Sequence, residues 1–180
     1  MRMDGVEGGR PPLRLRPLHV TDERQARQAH VELAREGFSF LLDLRDGEPW
    51  PTYLHRLQRG VDLPAGWVPA TFLVAEVEGQ LVGRVSVRHE LNADLAEFGG
   101  HIGYAVRPAF RRRAYATDIL RQALGVAGSV GVQRALVTCD VDNVASAKVI
   151  ERCGGALEGV SRARDGSAAE RRYWIEAAAN

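Results

Sequence analysis

Cysteine is scarce in this chain: Cys139 and Cys153 are the only two in 180 residues. Two thiols make no disulfide framework, and no CxxC pair or His-rich spacing suggests a metal site. An excess of either charge is also missing, since 24 basic residues stand against 23 acidic ones for a formal net charge of +1. That balance argues against a nucleic-acid binder relying on general phosphate attraction. No apolar run approaches the length of a membrane span. The first residues lack the apolar core of a signal peptide, so the expected location is a reducing cytoplasm. Neither a Gly-Lys-Ser/Thr loop nor a GxGxxG turn is present, which removes the common nucleotide-binding signatures. Internal repeats and low-complexity tracts are absent too.

What is present is an ordinary globular composition, 45% hydrophobic and 26% charged. The length suits one domain with a sizeable core. Residues 1–12, rich in Gly and Pro, read as a flexible N-terminal leader ahead of a single domain over 13–180. Leu13–Pro17 alternates like a short edge strand. Thr21 looks like a helix N-cap, with Ala26, Ala29, Leu33 and Ala34 as the buried stripe and Gly37 as the stop. A second helix is expected from about Trp50 to Gln58, followed by a loop over Gly60–Pro69. Thr71–Val77 and Leu81–Arg88 form strands joined by a hairpin at Glu78-Gly79-Gln80. On the second of them Leu81, Gly83, Val85 and Val87 are expected on one face, and Arg84, Ser86 and Arg88 on the other. His101–Val106 makes a third strand. Ala116, Ile119, Leu120, Ala123 and Ala127 mark a helix, and Ala135–Cys139 reads as a buried strand of the parallel kind. Asp142 or Asn143 caps another helix, with two strands to follow near Ala156–Arg162 and Glu170–Ile175.

One stretch carries chemistry on its face. Val106-Arg-Pro-Ala-Phe-Arg111-Arg-Arg-Ala114-Tyr-Ala116-Thr117 places a strand end, three arginines and a helix start in sequence. A helix N-terminus offers unpaired N–H groups and about half a positive charge, so a phosphorylated ligand is the natural guest.

The run Val106-x-Pro-x-x-Arg111-x-x-Ala114-x-Ala116, a following strand ending at Thr138, and Asn143-x-x-Ser146 resemble the GNAT family of N-acetyltransferases. Further strings, Arg88-His-Glu-Leu-Asn92, Gly99-Gly-His-Ile-Gly-Tyr104, Cys139-Asp-x-Asp-Asn143 and Arg172-Tyr-Trp-Ile175, are similar to those of a group of predicted bacterial acetyltransferases. The resemblance covers roughly residues 13–176. It implies an α/β fold of the GNAT (acyl-CoA N-acyltransferase) type, a mixed central sheet flanked by helices on both faces. It also implies acetyl-CoA as cosubstrate, no metal, and a small-molecule or peptide amine as acceptor, in a monomer or homodimer. Carried over residue by residue, the loop of Arg111, Arg112, Arg113, Ala114, Tyr115, Ala116 and Thr117 would hold the pyrophosphate. The family usually has glycine where this chain has Ala114, which a residue with helical dihedrals would tolerate. The strand end from Tyr104 to Val106 would pair with the pantetheine arm, and the Val106 amide would polarise the thioester carbonyl. Asn143 would contact the pantetheine or acyl end, with Ser146 and Lys148 next along its helix.

Acyl transfer to an alkylammonium needs a base to free the amine and an acid for the leaving thiolate. Many members of the family carry a tyrosine about seven residues after the Asn143 position; here it is Ile150. His101 and Glu97 are the candidate bases, His101 foremost because an unperturbed imidazole titrates near 6.5. His89, Glu90 and Tyr173 are reserves, and Arg88 and Asn92 face either substrate or solvent. Trp174 reads as packing, and the two cysteines as inert thiols. The alternative reading is a CoA-binding sensor or interaction module with little turnover.

Overall fold

Two apolar clusters lie on opposite sides of one sheet in this computed structural model, which describes residues 10–60, 64–161 and 168–177. The sheet consists of β1 (Arg14–Arg16), β2 (Ala70–Val77), β3 (Gln80–Arg88) and β4 (Ile102–Val106) in that order, each antiparallel to its neighbour. Helices α1 (Glu23–Ala34) and α2 (Trp50–Arg59) cover one face. Ala26, Ala29 and Leu33 of α1 and Trp50, Tyr53 and Leu54 of α2 meet Val74 and Leu81 there. A short α3 (Ala93–Glu97) links β3 to β4.

The other face packs on α4 (Tyr115–Ser129) and α5 (Val144–Arg152). Ile119, Leu120 and Ala123 of α4 and Ala147 and Ile150 of α5 bury against Val85, Val87, Ile102 and Val106. A second sheet, β5 (Arg134–Asp140), β7 (Glu170–Glu176) and β6 (Ala156–Val160) in that spatial order, adds Ala135, Val137, Tyr173 and Ile175 to this cluster. The α/β fold with helices on both faces is therefore present. Its assigned ladders are all antiparallel, and β5 pairs with β7, not as a parallel strand. The unbroken apolar run Ala135-Leu136-Val137 records burial, each residue being fully covered, and not strand direction.

The two sheets meet where β4 begins. The His101 amide donates to the Leu136 carbonyl at 2.7 Å, and the Leu136 amide donates to His101 Nδ1 at 2.9 Å. Gly100 allows this approach, because its φ is +57° and a β-carbon there would stand 2.3 Å from the Leu136 oxygen. Beyond that point no ladder joins β4 to β5 among the described residues.

Three local expectations need correcting. Leu81 does not share a face with Val85 and Val87: a register shift opposite Ala75 and Glu76 turns it toward α1 and α2. Thr21 does not cap α1; a short turn at Val20–Asp22 precedes the helix, and Thr21 donates its amide to His19. The Asp22 carboxylate, drawn into a bidentate pair with Arg16, accepts the His19 amide. The strand expected to reach Arg162 ends at Val160, and Arg162 lies outside the described residues. The β2–β3 hairpin turns through Glu78 and Gly79, both at positive φ, as a two-residue turn requires.

Candidate active site

The register of β3 against β4 decides which way the backbone of β4 points. Arg88 donates its amide to the His101 carbonyl at 2.8 Å, and Arg107 donates its amide to the Val82 carbonyl at 2.9 Å. Antiparallel pairs alternate, so the residues between them face β3 in every second position. The amides of Ile102, Tyr104 and Val106 are consequently turned away from β3, toward the side on which β4 and β5 part. Arg111 marks that side, since its Nε donates to the Val106 carbonyl at 3.1 Å.

After β4 the chain makes a single helical turn at Pro108–Phe110 and then enters α4. Arg112 and Ala114 both adopt left-handed backbone conformations, with φ of 62° and 59°. Ala114 does not have the right-handed helical dihedrals that would make its methyl harmless, so it holds a strained position suited to glycine. The amides of Phe110 and Arg111 return to Arg107 and Pro108, and those of Thr117 and Asp118 return to Ala114. Those of Arg112, Arg113, Ala114, Tyr115 and Ala116 find no acceptor among the described residues. Five consecutive donors at the start of a fifteen-residue helix form a cradle of open amides, a geometry suited to an anion. Thr117 contributes its place in the first turn, not a free amide.

The arginines divide their work. Arg107 is buried, and its guanidinium donates twice to Glu32 at 2.9 Å and once to the Leu81 carbonyl at 2.8 Å. Arg111 makes a second bidentate pair with Glu36. Two glutamates four residues apart, at the end of α1 and just after it, thus hold two arginines four residues apart across the loop. Arg112 and Arg113 stay exposed, Arg113 with its guanidinium 5.8 Å from the Phe110 ring. Arg10 reaches the same place from the N-terminal segment: it bonds the Arg113 carbonyl, pairs with Asp118 and lies 5.1 Å from the Tyr115 ring centre. The sequence pattern singled out the arginines of the loop but carried no signal for Glu32, Glu36 or Arg10.

Across the parting, the Asn143 side chain caps α5 by accepting the Ser146 amide at 3.0 Å. The Ser146 hydroxyl shares a 2.9 Å hydrogen bond with the Tyr104 hydroxyl, so β4 and α5 are tied by two side-chain oxygens. Burial pushes the Tyr104 phenol up to about 12, which keeps it protonated. Ile150 lies fully buried in the apolar cluster one turn further along α5. Lys148 is exposed. Burial raises both thiols, Cys139 to about 11, so neither forms a thiolate readily.

His101 is placed differently from the other candidates. Its ring is only 8% exposed, and an amide can only donate, so Nδ1 must be the unprotonated acceptor of the Leu136 N–H. Burial, with the Arg88 charge nearby, lowers its pKa and holds the ring neutral. Val106 lies five residues further along the chain, about 16 Å at 3.3 Å per residue. Glu97 ends α3 beyond it, where its carbonyl accepts Arg172 at 2.9 Å. His89 pairs with the Thr71 hydroxyl at 2.9 Å, and Asn92 caps α3 while donating to Gly66. The buried Tyr173 bonds Glu151 at 3.2 Å, and Trp174 donates to Glu158 at 2.9 Å. Glu90 is exposed. Among the described residues no group of His, Cys, Asp and Glu side chains could hold a metal ion, and no helix is long and apolar enough to cross a membrane.

An amide cradle at the mouth of two parting strands, on a sheet with helices on both faces, defines a class of protein. The sequence profile of the Acetyltransferase (GNAT) family matches residues 27–155, and the chain belongs to that family. No curated protein sequence matches it. Among solved structures, RimJ of Mycobacterium smegmatis in complex with CoA-disulfide superposes with a TM-score of 0.67 at 21% identity, over 93% of this chain and 85% of that one. The microcin C7 self-immunity acetyltransferase MccE, in complex with acetyl-CoA and AMP, gives 0.62 at 19% identity over 91% and 92%. A putative acetyltransferase from Salmonella typhimurium with acetyl-CoA gives 0.61 at 13% identity over 92% and 94%. At these identities the likeness is one of fold.

Proposed function

We propose that this chain is an acetyl-CoA-dependent N-acetyltransferase in which a primary amine, on a small molecule or a peptide, attacks the thioester directly within a ternary complex. The observation that carries the reading is the row of five unpaired amides from Arg112 to Ala116, adjoining the outward-facing amides of β4. The cradle would receive the pyrophosphate, with Arg112 and Arg113 adding charge from solvent. Tyr104 and Val106 would lend their free backbone edge to the pantetheine arm as an added strand does, and Val106 would donate to the thioester oxygen. One such donor is typically worth about 3–4 kcal/mol in other acyl-transfer enzymes.

In the transfer, a nitrogen–carbon bond forms as the carbon–sulfur bond breaks, and the amine proton and thiolate must both be managed. With Ile150 in the tyrosine position, the Tyr104–Ser146 pair offers a hydroxyl donor that joins β4 to α5, and we assign it to the leaving sulfur. Asn143 is committed by its oxygen to the cap and retains its amide group for the cosubstrate. His101 serves as a structural acceptor and Glu97 lies beyond it, so the amine loses its proton to water, which can relay it toward Glu97. The raised thiols speak for direct attack and against an acyl-cysteine step.

Steady-state release of CoA thiol against a panel of amines tests the reading. Intersecting double-reciprocal lines with an amine substrate are expected. Thermal stabilisation by acetyl-CoA with no turnover on any amine would instead identify a CoA-binding module.

A further inference from the structure

Arg84 and Arg88 stand four residues apart on β3 and project from the face that carries Gly103 and Ala105. Arg84 is 5% exposed, with Nη1 donating to the Gly103 carbonyl at 3.3 Å and Nη2 to the Ser39 carbonyl at 2.6 Å. Its Nε is buried without any acceptor. The guanidinium lies between aromatic rings, 4.3 Å from the centre of Phe38 and 5.7 Å from that of Phe72. Burial, reinforced by the charge of Arg88, lowers its pKa to about 9. No carboxylate pairs with it among the described residues.

Other well-covered arginines are treated differently. Arg16 pairs with Asp22 and Glu76, Arg56 with Asp43 and Glu48, and Arg107 with Glu32. Arg88 resembles Arg84 instead. Its Nη1 donates to the carbonyls of Gly99 and Gly100 at 2.9 and 2.7 Å, and no carboxylate bonds it among the described residues. Glu170 acts on it only at a distance, its carboxylate accepting the Gly99 amide at 3.0 Å. The free edge of Arg88 overlooks Gly103, where an added β-carbon would stand 3.8 Å from Nη2 and meet nothing closer. Two guanidiniums without counter-ions on one face, one of them deeply buried, are costly unless an anion arrives.

We infer that Arg84 and Arg88 form an anion subsite for the acceptor, so that the amine acetylated here also carries a carboxylate. The inference rests on the acetyltransferase reading and names its substrate class: short peptides, or other amines whose carboxylate stands up to about 10 Å from the reacting nitrogen. Arg88 supplies the open fork over Gly103, and Arg84 supplies charge from beneath. The position suits that role, because Ala105, the register partner of Arg84, lies between Tyr104 and Val106, whose amides are assigned to the acyl arm. Gly103, beneath the Arg88 fork, lies three residues from Val106, so about 10 Å of β4 separates the carboxylate from the thioester.

The test compares alanylglycine with its amide, and alanylglycylglycine with its amide, at equal concentrations of free amine. Loss of a charged hydrogen-bond partner predicts kcat/KM higher by about ten- to a hundred-fold for the carboxylates, and Arg88→Gln should bring that ratio toward one. Arg88→Lys should restore part of it. Equal values for both members of each pair in the wild-type protein, or a ratio unchanged in Arg88→Gln, would overturn the subsite and leave acetyl transfer standing. If no amine turns over, the transfer reading falls, and calorimetry on the CoA-loaded protein judges the subsite. Binding of N-acetylalanylglycylglycine in preference to its amide, lost in Arg88→Gln, sustains it, and absence of that preference overturns it.

Discussion

Arg107 and Glu32 are joined by two parallel hydrogen bonds of 2.9 Å, tying the residue that follows β4 to the last turn of the chain's first long helix. The pair fixes the anchor of the amide cradle, since Arg107 also holds the Leu81 carbonyl at the root of the β2–β3 hairpin. Replacing Glu32 by Gln leaves the buried guanidinium without its counter-charge. The expected loss is about 1.5–3 kcal/mol, the range for hydrogen bonds to charged groups. Chemical denaturation should show it, together with a several-fold weaker dissociation constant for acetyl-CoA. An unchanged midpoint and affinity would mean that the loop is held by other contacts.

Ala114 gives a prediction of opposite sign. Its left-handed backbone costs about 1–2 kcal/mol for a residue with a β-carbon. Glycine removes that cost but adds about 0.4–1 kcal/mol of unfolded-chain entropy. Ala114→Gly should therefore stabilise the protein by a few tenths to about 1 kcal/mol on these figures. Acetyl-CoA affinity should be kept or improved, because the cradle loses a methyl and keeps its amides. A lower melting temperature would contradict the strained geometry.

The Tyr104–Ser146 contact can be separated from packing by deleting one oxygen. If the pair donates to the leaving thiolate, Tyr104→Phe should lower kcat by about ten- to a hundred-fold, the lower reach of general acid catalysis. KM for acetyl-CoA should hardly move, since the Tyr104 contact assigned to the cosubstrate is main-chain. A proportional rise in KM with kcat intact would return Tyr104 to a binding role.

His101 makes stability depend on pH in a defined direction. Its folded pKa lies below the ordinary 6.5, so the unfolded chain binds the proton more readily. The contribution is complete above about 6.5 and is lost as pH falls through the folded value. His30 behaves alike, its Nδ1 accepting the Leu41 amide at 3.1 Å and its pKa lowered by burial. Melting temperature should drop between pH 7 and 5, and less so in His101→Gln. His101→Ala should cost about 1–3 kcal/mol by stranding the Leu136 amide. Its kcat–pH profile should keep the wild-type shape; loss of an ionisation from that profile would restore His101 as the base.

Much of the architecture was legible because it rests on local periodicity. The stripe Ala26, Ala29 and Leu33 repeats at helical spacing, and the Glu78-Gly79 turn and the Asn143 cap form within a few residues of themselves. Leu81 was misread because a register shift is a property of two strands and leaves no mark in the alternation of one. The same limit applies to β5, whose apolar run records burial on both faces and not the direction of its partner.

By itself, the sequence determined that a basic turn leads into a helix and that the family's motifs surround it. Short-range spacing carries that much. Only the tertiary structure decided what each charge does, because a guanidinium takes its role from the carboxylate that folding brings to it or withholds. Folding gives Arg107 and Arg111 two glutamates lying 75 residues away and leaves the cradle's amides open. It brings Arg84 and Arg88 no hydrogen-bonded carboxylate among the described residues, and Glu170 acts on Arg88 only at a distance.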